Sequence, residues 1–178
     1  EKKRIPDGLP YVLFFGAFQS RKGLAQLIEL VETNWAKNLE LRVIGAPNPV
    51  NKDEVALSRR ISKLSAVKVL GRLSKGELQV QLTNSVAVTY LSHAEGYGLP
   101  IIEALSANKP LIALDTEINR HFEGLYGGIH LVRHNHGFID LARLESVIDD
   151  VTLYGSRAKR TRKPLPTSTK SWAKKLLS

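Results

Sequence analysis

Residues 86–104, VAVTYLSHAEGYGLPIIEA, change pattern twice within a short distance. Val86 to Leu91 form a largely apolar run of strand length, the pattern of a strand covered on both faces. Ser92 to Gly98 follow with a glutamate and two glycines. Pro100 to Ala107 then read as a helix, with Pro100 in the first turn, where its missing N–H costs no hydrogen bond. Buried strand, glycine-bearing loop and helix together make the repeating unit of an α/β sheet.

The same unit recurs on both sides. Tyr11 to Gly16 (YVLFFG) is an apolar run closed by glycine. Lys22 to Trp35 follow, with Leu24, Leu27, Ile28 and Val31 at helical spacing. Leu39 to Gly45 is a second strand, and Asn51 to Leu64 a second helix with Val55, Leu57, Ile61 and Leu64 apolar. Val67 to Gly71 is a third strand. Ser74 to Thr83 is a helix opened by a capping box, Ser74 with Glu77 three residues on. After the quoted unit come strands at Leu111 to Leu114 and Ile129 to Val132, then a helix at Phe138 to Val151. Asp115 reads as a helix cap, and Asn119 and Arg120 as loop. No internal repeat is visible. Strands separated by helices predict a doubly wound parallel sheet of about six strands with helices on both faces. In such sheets ligands sit at the carboxyl ends of the strands.

Composition narrows the function classes. With 178 residues, 43% hydrophobic and 24% charged, the chain can bury a core and is neither disordered nor collagenous. It has no cysteine, which removes a disulfide framework, a thiolate metal site and a cysteine nucleophile. Its longest apolar runs are too short to span a bilayer, and a cytoplasmic location is expected. It has no methionine, and so reads as a piece of a longer chain. Residues 1–10 read as a linker, 11–156 as the domain, and 157–178 as a basic connector ending in a short helix with Trp172 and Leu176 on one side.

Lysine and arginine total 26 against 17 acidic residues, but residues 157–178 hold eight of the basic residues and no acidic one. The body therefore carries 18 basic against 17 acidic residues and is nearly neutral. That excludes a nucleic-acid field over the whole domain, and no nucleic-acid partner is expected. The tail run Arg157, Lys159, Arg160, Arg162 and Lys163 is either a solvated connector or a peripheral contact with an anionic membrane; it lacks the aromatics that stack on single strands.

The chemistry concentrates at the carboxyl ends of the first and fourth strands. Glycines at 96 and 98 let backbone N–H groups approach an anion, and the helix N-terminus behind them favours a phosphate. Glu95 and Glu103 can face one pocket and accept hydrogen bonds from sugar hydroxyls. The competing reading is a glycine turn into a helix whose dipole Glu103 stabilises. Arg21 and Lys22 precede a helix, where cations oppose the dipole unless an anion is bound. His93, two residues before Glu95, is either a pocket residue or a structural histidine. His134 and His136 have the spacing of a metal pair but no obvious third ligand, so a surface loop is the expected reading and no metal site is assigned.

These residues resemble a family. EGYGLPIIEA, with Ser92 before it, is similar to the signature of retaining glycosyltransferases of GT-B fold, the family of sucrose synthase, sucrose-phosphate synthase and bacterial mannosyltransferases. Tyr97 stands where phenylalanine is usual. Gly16 to Gly23 (GAFQSRKG) resemble the family's loop after the first strand of the donor domain, with Ala17 in place of the usual arginine. Lys109 to Ile112 and Ser171-Trp172 extend the likeness, which covers roughly residues 10–178. It implies one Rossmann-like half of a GT-B enzyme, the donor-binding half. The nucleotide sugar, of UDP or GDP type, would be bound here, and an N-terminal domain of the same parent chain would hold the acceptor. Glu95 would be the catalytic residue beside the hexose and Glu103 would take the ribose. Lys22, with Arg21 and Gly16, would meet the diphosphate. Gly96, Tyr97, Gly98 and Leu99 would meet sugar or phosphate oxygens through their N–H groups. Gly71 and Leu73 would lie under the base, and His93 beside the sugar. The leaving diphosphate would be stabilised by these cations and the helix N-terminus, with no metal or other cofactor required; the sequence has no D-x-D string. Many relatives glycosylate membrane-bound acceptors, which favours lipid over nucleic acid for the tail. The half-enzyme alone is expected to be inactive. The alternatives are a sugar-nucleotide epimerase-like domain, disfavoured by the paired glutamates, and a non-catalytic module that binds anions through the tail. A hydrolase pair is disfavoured because both glutamates lie on one loop–helix unit.

Overall fold

The computed structural model describes residues 8–35, 38–93, 99–135 and 138–154. The elements run β1 (Tyr11–Phe15), a 3-10 turn (Ser20–Lys22), α1 (Leu24–Thr33), β2 (Glu40–Ile44), α2 (Lys52–Ile61), β3 (Val67–Gly71), α3 (Lys75–Asn84), β4 (Ala87–Tyr90), α4 (Leu99–Ser106), β5 (Leu111–Leu114), α5 (Glu117–Tyr126), β6 (Ile129–Val132), β7 (His134–Asn135), β8 (Phe138–Ile139) and α6 (Leu141–Tyr154). Six strands form one parallel sheet in the order β3-β2-β1-β4-β5-β6. This is the doubly wound α/β arrangement expected from the sequence. The winding reverses between β1 and β4, which opens a crevice at their carboxyl ends.

Alternation along the strands sorts the core into two layers. Val12 and Phe14 of β1 join Leu24, Leu27 and Ile28 of α1, Leu57 and Ile61 of α2, and Leu144, Val147, Ile148 and Val151 of α6. Tyr11 and Leu13 point the other way, toward Leu82 of α3, Ile101, Ala104 and Leu105 of α4, and Phe122 and Tyr126 of α5. Both faces of β1 are thus buried, which is why its sequence is apolar without alternation. Truncating a side chain such as Leu27, fully buried in the first layer, to alanine costs about 2–5 kcal/mol.

Caps fix several helix starts. The Asn51 side chain accepts from the N–H groups of Asp53 (3.0 Å) and Glu54 (3.3 Å) at the head of α2. The capping box of Ser74 and Glu77 is formed as read from the sequence. Three readings are corrected. The helix expected from Lys22 begins at Leu24, because Gly23 turns left-handed (φ 75°) and separates it from the 3-10 turn. Asn119 and Arg120 lie in α5 rather than a loop. That helix is capped by Thr116, whose side chain accepts from the Asn119 N–H at 3.3 Å, while Asp115 pairs with Arg120 at 2.5 Å. The helix expected from Phe138 begins at Leu141: Phe138 and Ile139 pair with His134 and Asn135 as a short hairpin, and Asp140 accepts from the Arg143 N–H at 2.9 Å.

At the carboxyl edge the first three strands end on glycines packed against one another. The Gly16 N–H donates to the Ile44 carbonyl (2.9 Å) and the Gly45 N–H to that of Gly71 (2.8 Å). A Cβ on Gly45 would sit 2.1 Å from the Gly16 carbonyl oxygen, so no larger residue fits there. No helix among the described residues is long and apolar enough to cross a membrane.

Candidate functional site

A cleft of about 110 Å³ opens at the carboxyl ends of β1 and β4, where the winding reverses. Its lining comes from the end of β1 and Gly16, from Lys22, from Thr89, Tyr90, Leu91 and Ser92, and from Pro100 in the first turn of α4. Two stretches of chain far apart in sequence, 14–22 and 89–100, therefore converge on the position that the parallel fold reserves for ligands.

The 3-10 turn carrying Arg21 and Lys22 is fixed to the exit of β4 by two contacts. The His93 N–H donates to the Arg21 carbonyl at 2.9 Å. Gly23 lies so close to Leu91 that an added Cβ would stand 2.5 Å from both its Cβ and its carbonyl oxygen. The backbone fold of Lys22-Gly23 thus holds the lysine over the cleft. Lys22 is half-buried; burial lowers its ammonium pKa and the neighbouring Arg21 charge lowers it further. A cation kept in a place that disfavours its charge is suited to an anion that would restore it.

Glu103, in the second turn of α4, shows the converse. It is exposed, yet the protein around it raises its carboxyl pKa, with the charge of Lys75 at the head of α3 opposing the shift. Hydrogen-bond donors from a ligand would favour its charged form. His93 is partly buried. Burial lowers its pKa, as does His134, whose ring meets it edge-on at 5.4 Å between centroids. His134, expected on a surface loop, lies instead in β7 against His93. Among the described residues, its Nδ1 and the His93 Nε2 are buried without hydrogen-bond partners. Among the described residues no group of three or more potential ligands could hold a metal ion.

Of the residues proposed from sequence, Gly16 and Lys22 line the cleft and Arg21 and His93 border it. Gly71 ends β3 and accepts the Gly45 N–H, and Leu73 packs on the second core layer; neither lines the cleft. Glu95, Gly96, Tyr97 and Gly98 lie outside the described residues, as does the side chain of Leu99. Sequence reasoning missed Tyr90. It sits at the end of β4, is 7% exposed, and has a hydroxyl with no hydrogen-bond partner among the described residues. The signal was available: a tyrosine ending a buried strand brings a polar group to the ligand edge.

The fold and the cleft define a doubly wound α/β domain with a cation-bearing crevice at its switch point. The chain belongs to the glycosyl transferases group 1 family, whose model matches residues 1–154. No curated protein matches it. Among solved structures it is similar to WaaG, a glycosyltransferase involved in lipopolysaccharide biosynthesis (TM-score 0.63, 16% identity, 83% of this chain and 39% of that one). It is similar to Anabaena HepE in complex with UDP and glucose (TM-score 0.65, 21% identity, 83% and 41%). It is also similar to the C-terminal domain of the group 1 protein LpcC from Francisella tularensis (TM-score 0.63, 21% identity, 82% and 76%). These likenesses establish the fold. The chain spans about two fifths of the WaaG and HepE chains.

Proposed function

We propose that this chain is the donor-binding half of a retaining glycosyltransferase. It binds a nucleoside-diphosphate sugar of UDP or GDP type, and the glycosyl group passes to an acceptor held by a separate N-terminal domain of the parent chain. The observation that carries this reading is Lys22, half-buried with a lowered pKa at the switch-point cleft, opposite the start of α4. The likeness of fold to Anabaena HepE, a structure solved in complex with UDP and glucose, supports it.

The mechanism follows from charge. As the glycosyl group departs with oxocarbenium character, negative charge grows on the diphosphate. Lys22, Arg21 and the N-terminal N–H groups of α4 are fixed donors and dipoles for that charge, and they need no reorganisation as it develops. Glu103 accepts hydrogen bonds from the ribose hydroxyls. Glu95 takes the hexose side; its role rests on the motif EGYGLPIIEA. Binding needs no divalent metal, because the positive potential comes from the chain itself.

Thermal-shift titration with UDP, GDP and ADP and their glucose or mannose conjugates, with and without chelator, tests this reading. One nucleotide class should raise the melting temperature in proportion to the logarithm of its concentration, as a ligand of the native state does. It should do so equally with chelator present. No stabilisation by any of them would overturn the assignment, and stabilisation abolished by chelator would overturn the metal-independent part.

A further inference from the structure

Two buried tyrosines lie on the same face of the sheet at opposite ends of it. Tyr11 opens β1, and its hydroxyl donates to the Gln81 carbonyl at 2.8 Å. Tyr90 closes β4, and its hydroxyl is buried with no hydrogen-bond partner among the described residues. An unsatisfied buried hydroxyl is costly, and an apolar ring of the same shape would avoid the cost. The surroundings of Tyr90 say what the hydroxyl is for. Its ring lines the cleft with Gly16, Lys22, Ser92 and Pro100. The Arg21 charge lies within electrostatic reach of the phenol and opposes the effect of burial on it. Burial raises its pKa to about 12, so it stays a neutral donor and never adds a negative charge beside an anion.

We propose that Tyr90 is a ligand-reading residue: its hydroxyl donates a hydrogen bond to a diphosphate oxygen of the bound nucleotide, between Lys22 and the start of α4. The inference rests on the reading of the cleft as a nucleoside-diphosphate site and adds to it a neutral donor from the floor. Lysine and arginine alone bind any compact anion as charges; a buried hydroxyl in a fixed place makes the site selective for an oxygen at one position.

Tyr90→Phe tests it, by calorimetric titration with whichever of UDP, GDP and ADP stabilises the wild type, alongside melting temperatures. The variant should melt at or above the wild-type temperature, since it loses only an unsatisfied group. Its affinity for the nucleoside diphosphate should fall about tenfold or more, as a lost hydrogen bond to a charged oxygen does. The parent nucleoside without phosphates should bind both proteins equally. Equal nucleoside-diphosphate affinity in variant and wild type would overturn the inference, leaving the hydroxyl as an unsatisfied or water-bonded group. A melting temperature several degrees lower would also overturn it, by showing that the hydroxyl supports the fold. If the wild type binds none of the three nucleotides, the reading of the cleft fails, and the inference fails with it.

Discussion

Gly23→Ala should damage both the fold and the site. Gly23 closes the 3-10 turn and starts α1 with φ at 75°, a left-handed conformation that a Cβ disfavours by about 1–2 kcal/mol. The added methyl would stand 2.5 Å from the Cβ and from the carbonyl oxygen of Leu91. Leu91, one residue beyond β4, is fully buried in the first core layer, so it has little room to retreat. Overpacking of that kind costs about 1–3 kcal/mol. The total of about 2–5 kcal/mol corresponds to a fall in melting temperature of roughly 5–20 °C for a domain of this size. The stability of an ordinary domain, about 5–15 kcal/mol, leaves the variant folded in most of that range. Relief of the clash would push the 3-10 turn off β4, so the folded variant should also bind nucleoside diphosphate about tenfold more weakly through a displaced Lys22. Differential scanning calorimetry and titration measure the two effects. Gly124→Ala is the control. It lies inside α5 with no atom within 4 Å of an added Cβ. Alanine there should stabilise by up to about 1 kcal/mol. A Gly23→Ala protein that melts within about 2 °C of wild type and binds normally would refute the argument from close approach.

Lys22→Met should leave the melting temperature unchanged or slightly raised, because the site disfavours the charge, while weakening nucleoside-diphosphate binding about tenfold and flattening its salt dependence; undiminished affinity would remove the lysine from the site. Glu103→Gln should weaken both the nucleoside diphosphate and the sugar nucleotide by about tenfold, and Glu95→Gln only the sugar nucleotide. Equal effects of Glu95→Gln on the two ligands would contradict that division. Stability should decline from pH 7.5 to 5.5, because burial holds His93 and His130 below their ordinary range and the unfolded chain then binds protons first. His134 adds to the lowering at His93; at His130 the Arg143 charge adds and Asp150 and Glu123 oppose. A His93→Gln, His130→Gln double variant should lose much of that slope, and an unchanged slope would show that other groups carry it.

The sheet was legible because its central strands are covered on both faces, so YVLFF and LIAL are apolar without alternation, and YVLFF is followed by a turn and a helical pattern. The strand order was not read from the sequence, since any of several orders buries the same residues. Helix α5 was missed for a specific reason: its inward face consists of Asn119, Phe122 and Tyr126, and a buried asparagine does not register as apolar. Its Nδ2 donates to the Leu114 carbonyl at 2.9 Å, while its Oδ1 is buried with no partner among the described residues. The start of α6 was misplaced because Phe138, an aromatic that suggests a core position, is 79% exposed on the hairpin. At the site, local motifs revealed Gly16, Arg21 and Lys22. Tyr90 could be read as a polar group ending a buried strand, but its missing partner among the described residues shows only in the fold, because no sequence spacing encodes it.

The two ends of the sheet differ in how their polar groups are treated. At the amino end, polar groups satisfy one another: Tyr11 bonds Gln81, Arg42 covers the Tyr11 ring at 3.8 Å and pairs with Glu40 at 2.6 Å, and the Lys109 ammonium donates to the Ser85 carbonyl at 2.6 Å. At the carboxyl end, the Tyr90 hydroxyl, the His93 Nε2 and the His134 Nδ1 have no partner, while Lys22 and Glu103 are each held in surroundings that disfavour their charge. A fold selected for stability alone would favour apolar residues at such positions, since each unsatisfied group costs about 1–3 kcal/mol. Among the described residues the cost gathers on the carboxyl side of the sheet, at the cleft and also at the end of β5, where the Asn119 Oδ1 is buried without a partner. At the cleft it falls on groups whose partners would arrive with a ligand.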